Sequence, residues 1–210
     1  MKRYASALRA ATVTCALFAT SACSDDDKMG AAPSENAGGS STVPPAGSDQ
    51  LPPHGHTAIT AWLSDGAYKD WACEPEVHEA RSPSPHGFNR ICSNDVLAAD
   101  ATKSTSWKKG AAAVKELYAS AGGTEPVGYA VYEKTKDDSA GGANWYWYEI
   151  VPLDSDADRD ANGVVADGLA DDDKGPEYKI CVGCHSAAGA DPVHTPSVGG
   201  RDQVYTPIAL

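Results

Sequence analysis

Short stretches rich in Tyr, Val and Trp alternate with breaks that contain Gly and Asp through the middle of the chain. These stretches cover residues 88–92, 111–118, 127–133 and 145–151, and their length and composition are typical of β-strands. The third and fourth stretches are expected to form a hairpin across residues 134–143. The pattern therefore predicts an antiparallel β-sheet.

An apolar spacing typical of a helix precedes the strands. Over residues 57–71, the side chains of Ile59, Trp62, Leu63 and Trp71 recur roughly on one helical face, which indicates an amphipathic helix packed on the domain. The expected fold class is therefore mainly β (α+β), an antiparallel β-sheet with an N-terminal helix and further short helices.

The last predicted strand begins with four aromatic residues, Trp145 to Tyr148. Because successive side chains point to opposite faces of a strand, both faces of the sheet should be covered here. A plain aromatic core explains that cover, and a wide flat ring such as haem would also serve.

The start of the chain has the order of an export signal. In residues 1–22, basic residues precede an apolar stretch at 10–19 and small residues at 20–22, just before Cys23. The apolar stretch is too short to span a membrane as a helix. Small residues before Cys23 resemble a bacterial lipobox, so lipidation of Cys23 and ordinary cleavage both stay open. We expect a location in the bacterial periplasm or cell envelope, with or without a lipid anchor.

Residues 23–55 contain mainly Gly, Ser, Ala, Pro and Asp and almost no large apolar side chain. Such a segment buries too little surface to fold, and it is interpreted as a flexible tether. The remaining residues of the 210-residue chain, 56–210, suit a single domain. A formal net charge of -12 argues against a nucleic-acid partner and favours small ligands or a basic electron-transfer partner.

Four cysteines belong to the expected domain, and an oxidising compartment favours disulfides. We predict a disulfide between Cys73 and Cys92, which would stabilise the fold by roughly 3 kcal/mol. A second disulfide between Cys181 and Cys184 is the alternative to the chemistry considered next.

The segment Cys181-Val182-Gly183-Cys184-His185 matches the attachment motif of a c-type haem near the C-terminus. Its two thiols can add to the two haem vinyl groups, and the adjacent imidazole can then bind the iron as proximal ligand. A zinc site would need a second tight pair of ligands, which the other two cysteines do not form. A thioredoxin-like redox pair would lie early in a βαβ unit, whereas Cys181 and Cys184 lie close to the C-terminus.

The ligand on the opposite side of the iron decides the function. Both methionines, Met1 and Met29, lie outside the expected domain, which excludes a Met/His cytochrome. Either a histidine completes a bis-His haem or the position is open for ligand binding or catalysis. The candidate histidines, each of which could also be a surface residue, are His54, His56, His78, His86 and His194.

Six further segments match elements of a known family. In chain order they are Tyr-Lys-Asp-Trp at 68–71, Trp-Lys-Lys at 107–109, Val-Lys-Glu-Leu at 114–117, Gly-Ala-Asn-Trp at 142–145, Val-Pro at 151–152 and Arg-Asp-Gln-Val-Tyr-Thr at 201–206. With the haem motif near the C-terminus, the chain resembles the cytochrome P-460 family, which includes the cytochrome c′-beta proteins. The resemblance covers about residues 57–208 in consistent order.

The resemblance implies roles for several residues. Lys115 matches the lysine that forms an additional covalent bond to the haem, although a lysine pointing outward from a strand is the alternative. Arg90 matches a distal-pocket arginine, and Glu133 is the candidate distal proton acceptor, with Tyr132 in that place if the alignment slips by one. His86 either lines the pocket or lies at the surface.

The function implied by the resemblance is oxidation of hydroxylamine, or a related small nitrogen species, at an open haem site. An external acceptor such as another cytochrome would take the electrons, and a homodimer is the expected oligomer. The alternatives are a non-enzymatic nitric-oxide-binding protein of the c′-beta type, a monohaem electron carrier, and a zinc- or disulfide-stabilised surface lipoprotein without haem.

An acidic segment at residues 154–174 offers a further cofactor, calcium. Residues 158–163 match the opening of a calcium-binding loop, but Leu169 stands where such a loop closes with Glu. A solvated loop is the other interpretation of this segment.

Overall fold

The computed structural model describes residues 50–81, 84–99, 106–171, 174–188, 202–205 and 208. The predicted export signal, Cys23, most of the predicted tether and His194 lie outside the described residues. Among the residues it describes, no helix is both long enough and apolar enough to cross a membrane.

The strands of the described residues are β1 (Ala72–Cys73), β2 (His78–Glu79), β3 (Phe88–Ser93), β4 (Ala112–Tyr118), β5 (Gly128–Lys134), β6 (Trp145–Ile150) and β7 (Val164–Leu169). They form one antiparallel sheet in the order β1-β3-β4-β5-β6-β7, with β2 also paired to β3. The predicted mainly β (α+β) fold class is confirmed, and β3 to β6 match the four predicted strands closely. A short 3-10 helix, Ala140–Gly142, lies in the predicted hairpin between β5 and β6.

The strand β7 corrects the expectation of a solvated loop over the acidic segment. Val165 and Ala166 are buried, and the strand pairs with β6 from Tyr146 to Ile150. An aromatic neighbour strand with both faces covered gives these small apolar residues a surface to pack on.

The N-terminal helix, α1 (His56–Ser64), is shorter than the predicted span. Gly66 adopts a φ of 69°, and its N–H bonds to the carbonyl of Leu63, as expected at a helix C-terminus. The chain then turns back, and the Trp71 ring still packs 5.6 Å from that of Trp62. The described residues also form the short helices α2 (Asp95–Ala98) and α3 (Gly183–His185).

Each face of the sheet carries its own core. One face packs on α1 and the turn that follows it, through Ile59, Trp62, Leu63, Tyr68, Trp71, Val114, Val131, Tyr146 and Tyr148. The other face packs on the C-terminal segments, through Ile91, Trp107, Ala113, Trp145, Trp147, Cys181, Val182 and Val204. The four aromatic residues of β6 divide evenly between the two faces and are all buried, as predicted.

The predicted disulfide between Cys73 and Cys92 is present, and it joins β1 to β3 at directly paired positions. It lies on the helix-covered side, where Cys92 is fully buried. Closing this loop restricts the unfolded chain, which accounts for a stabilisation of about 3 kcal/mol.

A buried carboxylate on β4 is held by three donors on the helix-covered face. Glu116 is 1% exposed and accepts hydrogen bonds from Arg90 Nε at 2.7 Å, Tyr68 Oη at 2.6 Å and Tyr118 Oη at 2.7 Å. Burial by itself would raise the pKa of Glu116, but these hydrogen bonds outweigh burial and lower its pKa below the ordinary value.

We predict that this carboxylate makes stability depend on pH. Its stabilising contribution is complete above the unfolded-state pKa of about 4.3 and is lost as pH falls towards the lower folded-state pKa. Glu116→Gln should lower the free energy of unfolding at pH 7 by about 1.5–3 kcal/mol. The difference from wild type should shrink on acidification. Urea denaturation between pH 7 and 3 measures both, with the exposed Glu125→Gln as control. A difference that did not change with pH would contradict the prediction.

Candidate functional site

A cleft lies over the sheet face opposite α1. The space it encloses, together with the part open to solvent, is about 970 Å³. Alternate side chains of four strands form its floor, and the C-terminal segments form a wall. The floor residues include Ile91, Ala113, Lys115, Ala130, Tyr132, Trp147 and Glu149, and the wall residues are Ile180, Cys181, Cys184, His185 and Tyr205.

The Cys-Val-Gly-Cys-His segment, residues 181–185, lies on helical backbone. A π-helix, Glu177–Val182, begins directly after Pro176 and runs into α3, so Cys181 and Cys184 lie about one turn apart. Both side chains line the cleft, and neither forms a disulfide. The arrangement presents two thiols along one edge of the cleft.

His185 has a fixed orientation at the same edge. Its Nδ1 lies 2.6 Å from the carbonyl oxygen of Gln203, which can only accept a hydrogen bond, so Nδ1 carries the proton. The Nε2 lone pair is therefore the one suited to a metal. The rings of Trp147, Tyr205 and Tyr132 surround the imidazole at centroid distances of 4.7, 5.4 and 5.9 Å.

The imidazole of His185 is neutral at pH 7. Burial lowers its pKa to about 4, and the nearby charge of Lys115 acts in the same direction against the opposing hydrogen bond to Gln203. A neutral ring with one fixed tautomer is the form in which histidine binds a metal.

Three polar side chains meet inside the cleft. Lys115 Nζ lies 3.2 Å from His86 Nδ1, and His86 Nε2 lies 3.5 Å from Glu149 Oε1. Lys115 and Glu149 come from β4 and β6 and flank the small side chain of Ala130 on β5, in one row across the sheet. The gap above Ala130 lets His86 reach both partners.

Burial shifts the pKa values of all three groups. It lowers the pKa of Lys115 to about 8 against the attraction of Glu149, and it lowers the pKa of His86 to about 3 with further help from the Lys115 charge. It also raises the pKa of Glu149, which Lys115 partly offsets. A neutral imidazole between a cation and an acid can relay a hydrogen bond between them.

The structure brings together most of the predicted site residues. Cys181, Cys184, His185 and Lys115 line one cleft, as do Tyr132 and His86, for which the sequence left two interpretations open.

The structure corrects the expected places of Arg90 and Glu133 in a distal pocket. Arg90 points to the opposite face of the sheet, where it pairs with Glu116, and Glu133 Oε2 lies 3.0 Å from His54 Nε2. Because successive residues alternate between faces, Tyr132 on the cleft side forces Glu133 to the other side. Neither Arg90 nor Glu133 is among the residues that line the cleft.

Glu149 is the cleft carboxylate that the sequence analysis missed. The signal was present, because Glu149 follows Trp145 and Trp147 at a spacing of two, so all three share one face. The sequence did not show which face of the sheet carries the cleft, because that depends on where the C-terminal segments pack.

Among the described histidines that were considered as a second iron ligand, His86 is the one that lines the cleft. His56 Nδ1 lies 3.0 Å from Tyr148 Oη, and His78 Nε2 lies 2.9 Å from Glu74 Oε2; neither histidine lines the cleft. With His54 bound to Glu133, these three belong to other networks.

The part of the acidic segment just before β7 forms a turn. Asp160 Oδ1 accepts hydrogen bonds from the backbone N–H groups of Asn162 and Val164, both at 2.8 Å, and leads the chain into β7. Across the described part of the chain, no three or more His, Cys, Asp or Glu side chains are grouped to hold a metal ion. Calcium stays a prediction without support from a ligand cluster.

No protein-family model matches the chain, and no curated protein matches its sequence. The resemblance to the cytochrome P-460 family stays a prediction, and the functional argument depends on the cleft and its residues.

The β5–β6 turn touches the motif helix at Gly142. This residue has a φ of 111°, and a Cβ added here would lie 2.7 Å from Val182 Cγ1, too close for any real contact. Val182 is 4% exposed between the two thiol-bearing residues, so this contact sets the height of the motif above the sheet.

We predict that Gly142→Ala lowers the free energy of unfolding by about 1–3 kcal/mol through overpacking, beyond its backbone strain. Gly141→Ala is the matched control, since Gly141 also has a positive φ of 67° but has no atom within 4 Å of an added Cβ. Combining Gly142→Ala with Val182→Ala should recover part of the loss. Equal losses in the two single variants, measured by urea denaturation, would contradict the close approach.

Proposed function

We propose that this chain is an exported c-type haem protein of the cytochrome P-460 type. One haem c would be bound covalently through Cys181 and Cys184, with His185 as the proximal iron ligand. The observation that carries the proposal is that these three side chains border one cleft, on the sheet face lined by Trp147.

The residues present fit such a group. The thiols are unpaired and lie about one helical turn apart, and the imidazole is neutral with Nδ1 engaged by a backbone carbonyl. Tyr132, Trp147 and Tyr205 supply aromatic surface of the kind that packs on a flat macrocycle. When bound, the haem supplies an iron centre that binds small nitrogen species and accepts electrons.

The activity that we propose is the oxidation of hydroxylamine or a related small nitrogen species. In this proposal Glu149 accepts the protons that the substrate releases, because it is the carboxylate inside the cleft and burial raises its pKa. Lys115 lies in the same cleft, and an additional bond from its Nζ to the haem would replace one N–H bond and one C–H bond of the macrocycle, with two protons released and two electrons passed to the external acceptor. An external acceptor, such as another cytochrome, takes the electrons.

A second candidate function is favoured by His86. A second imidazole lies in the cleft, and its movement onto the iron would close the site and produce a bis-His electron carrier. A non-enzymatic nitric-oxide-binding protein of the c′-beta type would use the same cleft without turnover. The reaction with hydroxylamine separates these functions from the proposed enzyme.

We predict that the chain, expressed with a c-type haem assembly system, carries one covalent haem. Replacing Cys181 and Cys184 together with Ser should abolish attachment, because no thioether can form. Replacing Cys73 and Cys92 together with Ser is the matched control and should leave the haem in place. Pyridine haemochrome absorbance and intact mass measure attachment, and colourless wild-type protein would refute the proposal.

The same preparation tests whether Lys115 forms the additional bond to the haem. A red-shifted Soret band that returns to the ordinary c-type position in Lys115→Leu supports the additional bond. An ordinary spectrum in the wild type favours the second candidate function.

We predict that Glu149→Gln lowers the rate of hydroxylamine oxidation about 10²- to 10⁴-fold, the usual effect of losing a general base. Glu133→Gln is the control, because Glu133 lies on the other face of the sheet and should leave the rate near wild type. Steady-state reduction of an artificial electron acceptor measures both. A wild-type rate in Glu149→Gln would refute Glu149 as the proton acceptor.

A further inference from the structure

We propose that the buried ion pair of Lys134 and Asp202 positions His185, by holding the backbone turn whose carbonyl oxygen binds the His185 Nδ1 proton. The inference depends on the proposed function in one respect, because there His185 is the iron ligand. Neither Lys134 nor Asp202 is among the side chains that line the cleft, so both act as positioning residues.

The turn that delivers the carbonyl is strained. Asp202 has a φ of 40° and Gln203 a φ of 71°, both in the left-handed region that residues other than glycine rarely adopt. Such a conformation persists only where surrounding contacts over-determine it. The carbonyl oxygen of Gln203, at the end of this turn, lies 2.6 Å from His185 Nδ1.

The Asp202 carboxylate supplies those contacts. Its Oδ2 accepts from Lys134 Nζ at 2.6 Å, and its Oδ1 accepts from Ser139 Oγ. The backbone N–H of Trp107 also points to Oδ2, at 3.4 Å. Both carboxylate oxygens of Asp202 are therefore held in place, and together they fix the position of the turn.

The donors belong to the rigid hairpin of β5 and β6. Lys134 is fully buried at the end of β5, with Nζ 5.8 Å from the centre of the Trp145 ring. Ser139 lies in the turn between the strands, and its Oγ also accepts from Trp145 Nε1 at 3.0 Å. A charged hydrogen bond away from water is strong, and losing one partner leaves the other charge buried.

The structure therefore links the sheet to the iron ligand through one chain of contacts, from Lys134 through Asp202 and Gln203 to His185. A hydrogen bond at Nδ1 raises the basicity of a metal-bound imidazole and holds its ring orientation. Loosening the turn should weaken that bond, so the midpoint potential should rise and the ferrous iron–histidine stretching band should move to lower frequency.

The test compares Asp202→Ala with Asp202→Asn. Asparagine keeps an acceptor oxygen and tolerates a positive φ, so it should retain most of the wild-type potential and stretching band, whereas alanine should shift both. Arg90→Met is the matched control, because it breaks a comparable ion pair on the opposite face and should lower stability without shifting either signal. Potentiometric titration and resonance Raman spectroscopy of holoprotein provide the readouts.

Unchanged signals in Asp202→Ala, or equal shifts in Arg90→Met, would overturn the positioning role. Should Asp202→Ala fail to fold, Ser139→Ala removes one of the two side-chain donors and should shift both signals less but in the same direction. Wild-type signals in Ser139→Ala would then overturn it.

A haem-independent readout separates this inference from the proposed function. In the full chain before haem attachment, ¹⁵N NMR at neutral pH should show His185 protonated at Nδ1 alone, and Asp202→Ala or Ser139→Ala should populate the other tautomer. A single unchanged tautomer in both variants overturns the positioning role. A wild-type chain that never acquires haem refutes the proposed function, while the tautomer still decides the role of the ion pair.

Discussion

The alternation of side chains along the antiparallel strands is the constraint on which the rest of this molecule depends. Because successive residues point to opposite faces, the strands β3 to β6 supply side chains both to the helix-covered core and to the cleft. Val114 and Glu116 face the helix, while Ala113 and Lys115 face the cleft. A shift of one residue in register would exchange the two sets and remove the site.

Differences in side-chain volume open the cleft on its face of the sheet. Ala113 and Ala130 lie beside much larger residues such as Tyr132 and Trp147, and the space above the small side chains admits polar groups. Buried polar atoms require partners, which explains why Lys115 is found with His86 and Glu149 and not alone. The same low-polarity setting that shifts their pKa values makes them suited to proton transfer.

The two ends of the segment from Cys181 to His185 are held by separate parts of the fold. On the N-terminal side, Val182 packs against the turn at Gly142. On the C-terminal side, Tyr205 Oη donates to the carbonyl of Cys184 at 2.9 Å, and Val204 is fully buried beneath it. The tail that follows the motif therefore completes the site by returning to the sheet.

The sequence by itself determined the four central strands, the hairpin between the last two of them, the disulfide of Cys73 with Cys92 and the spacing of Cys181, Cys184 and His185. These features have local signals, such as a period of two, a turn or a fixed spacing of cysteines. The sequence did not determine β7, whose apolar residues gain a partner only when β6 is beside them. The tertiary structure alone decided that Glu149 and not Glu133 faces the cleft, and that a carbonyl eighteen residues beyond His185 fixes its proton. Strand register and the return of the tail bring together residues far apart in the chain, and no local pattern encodes that meeting.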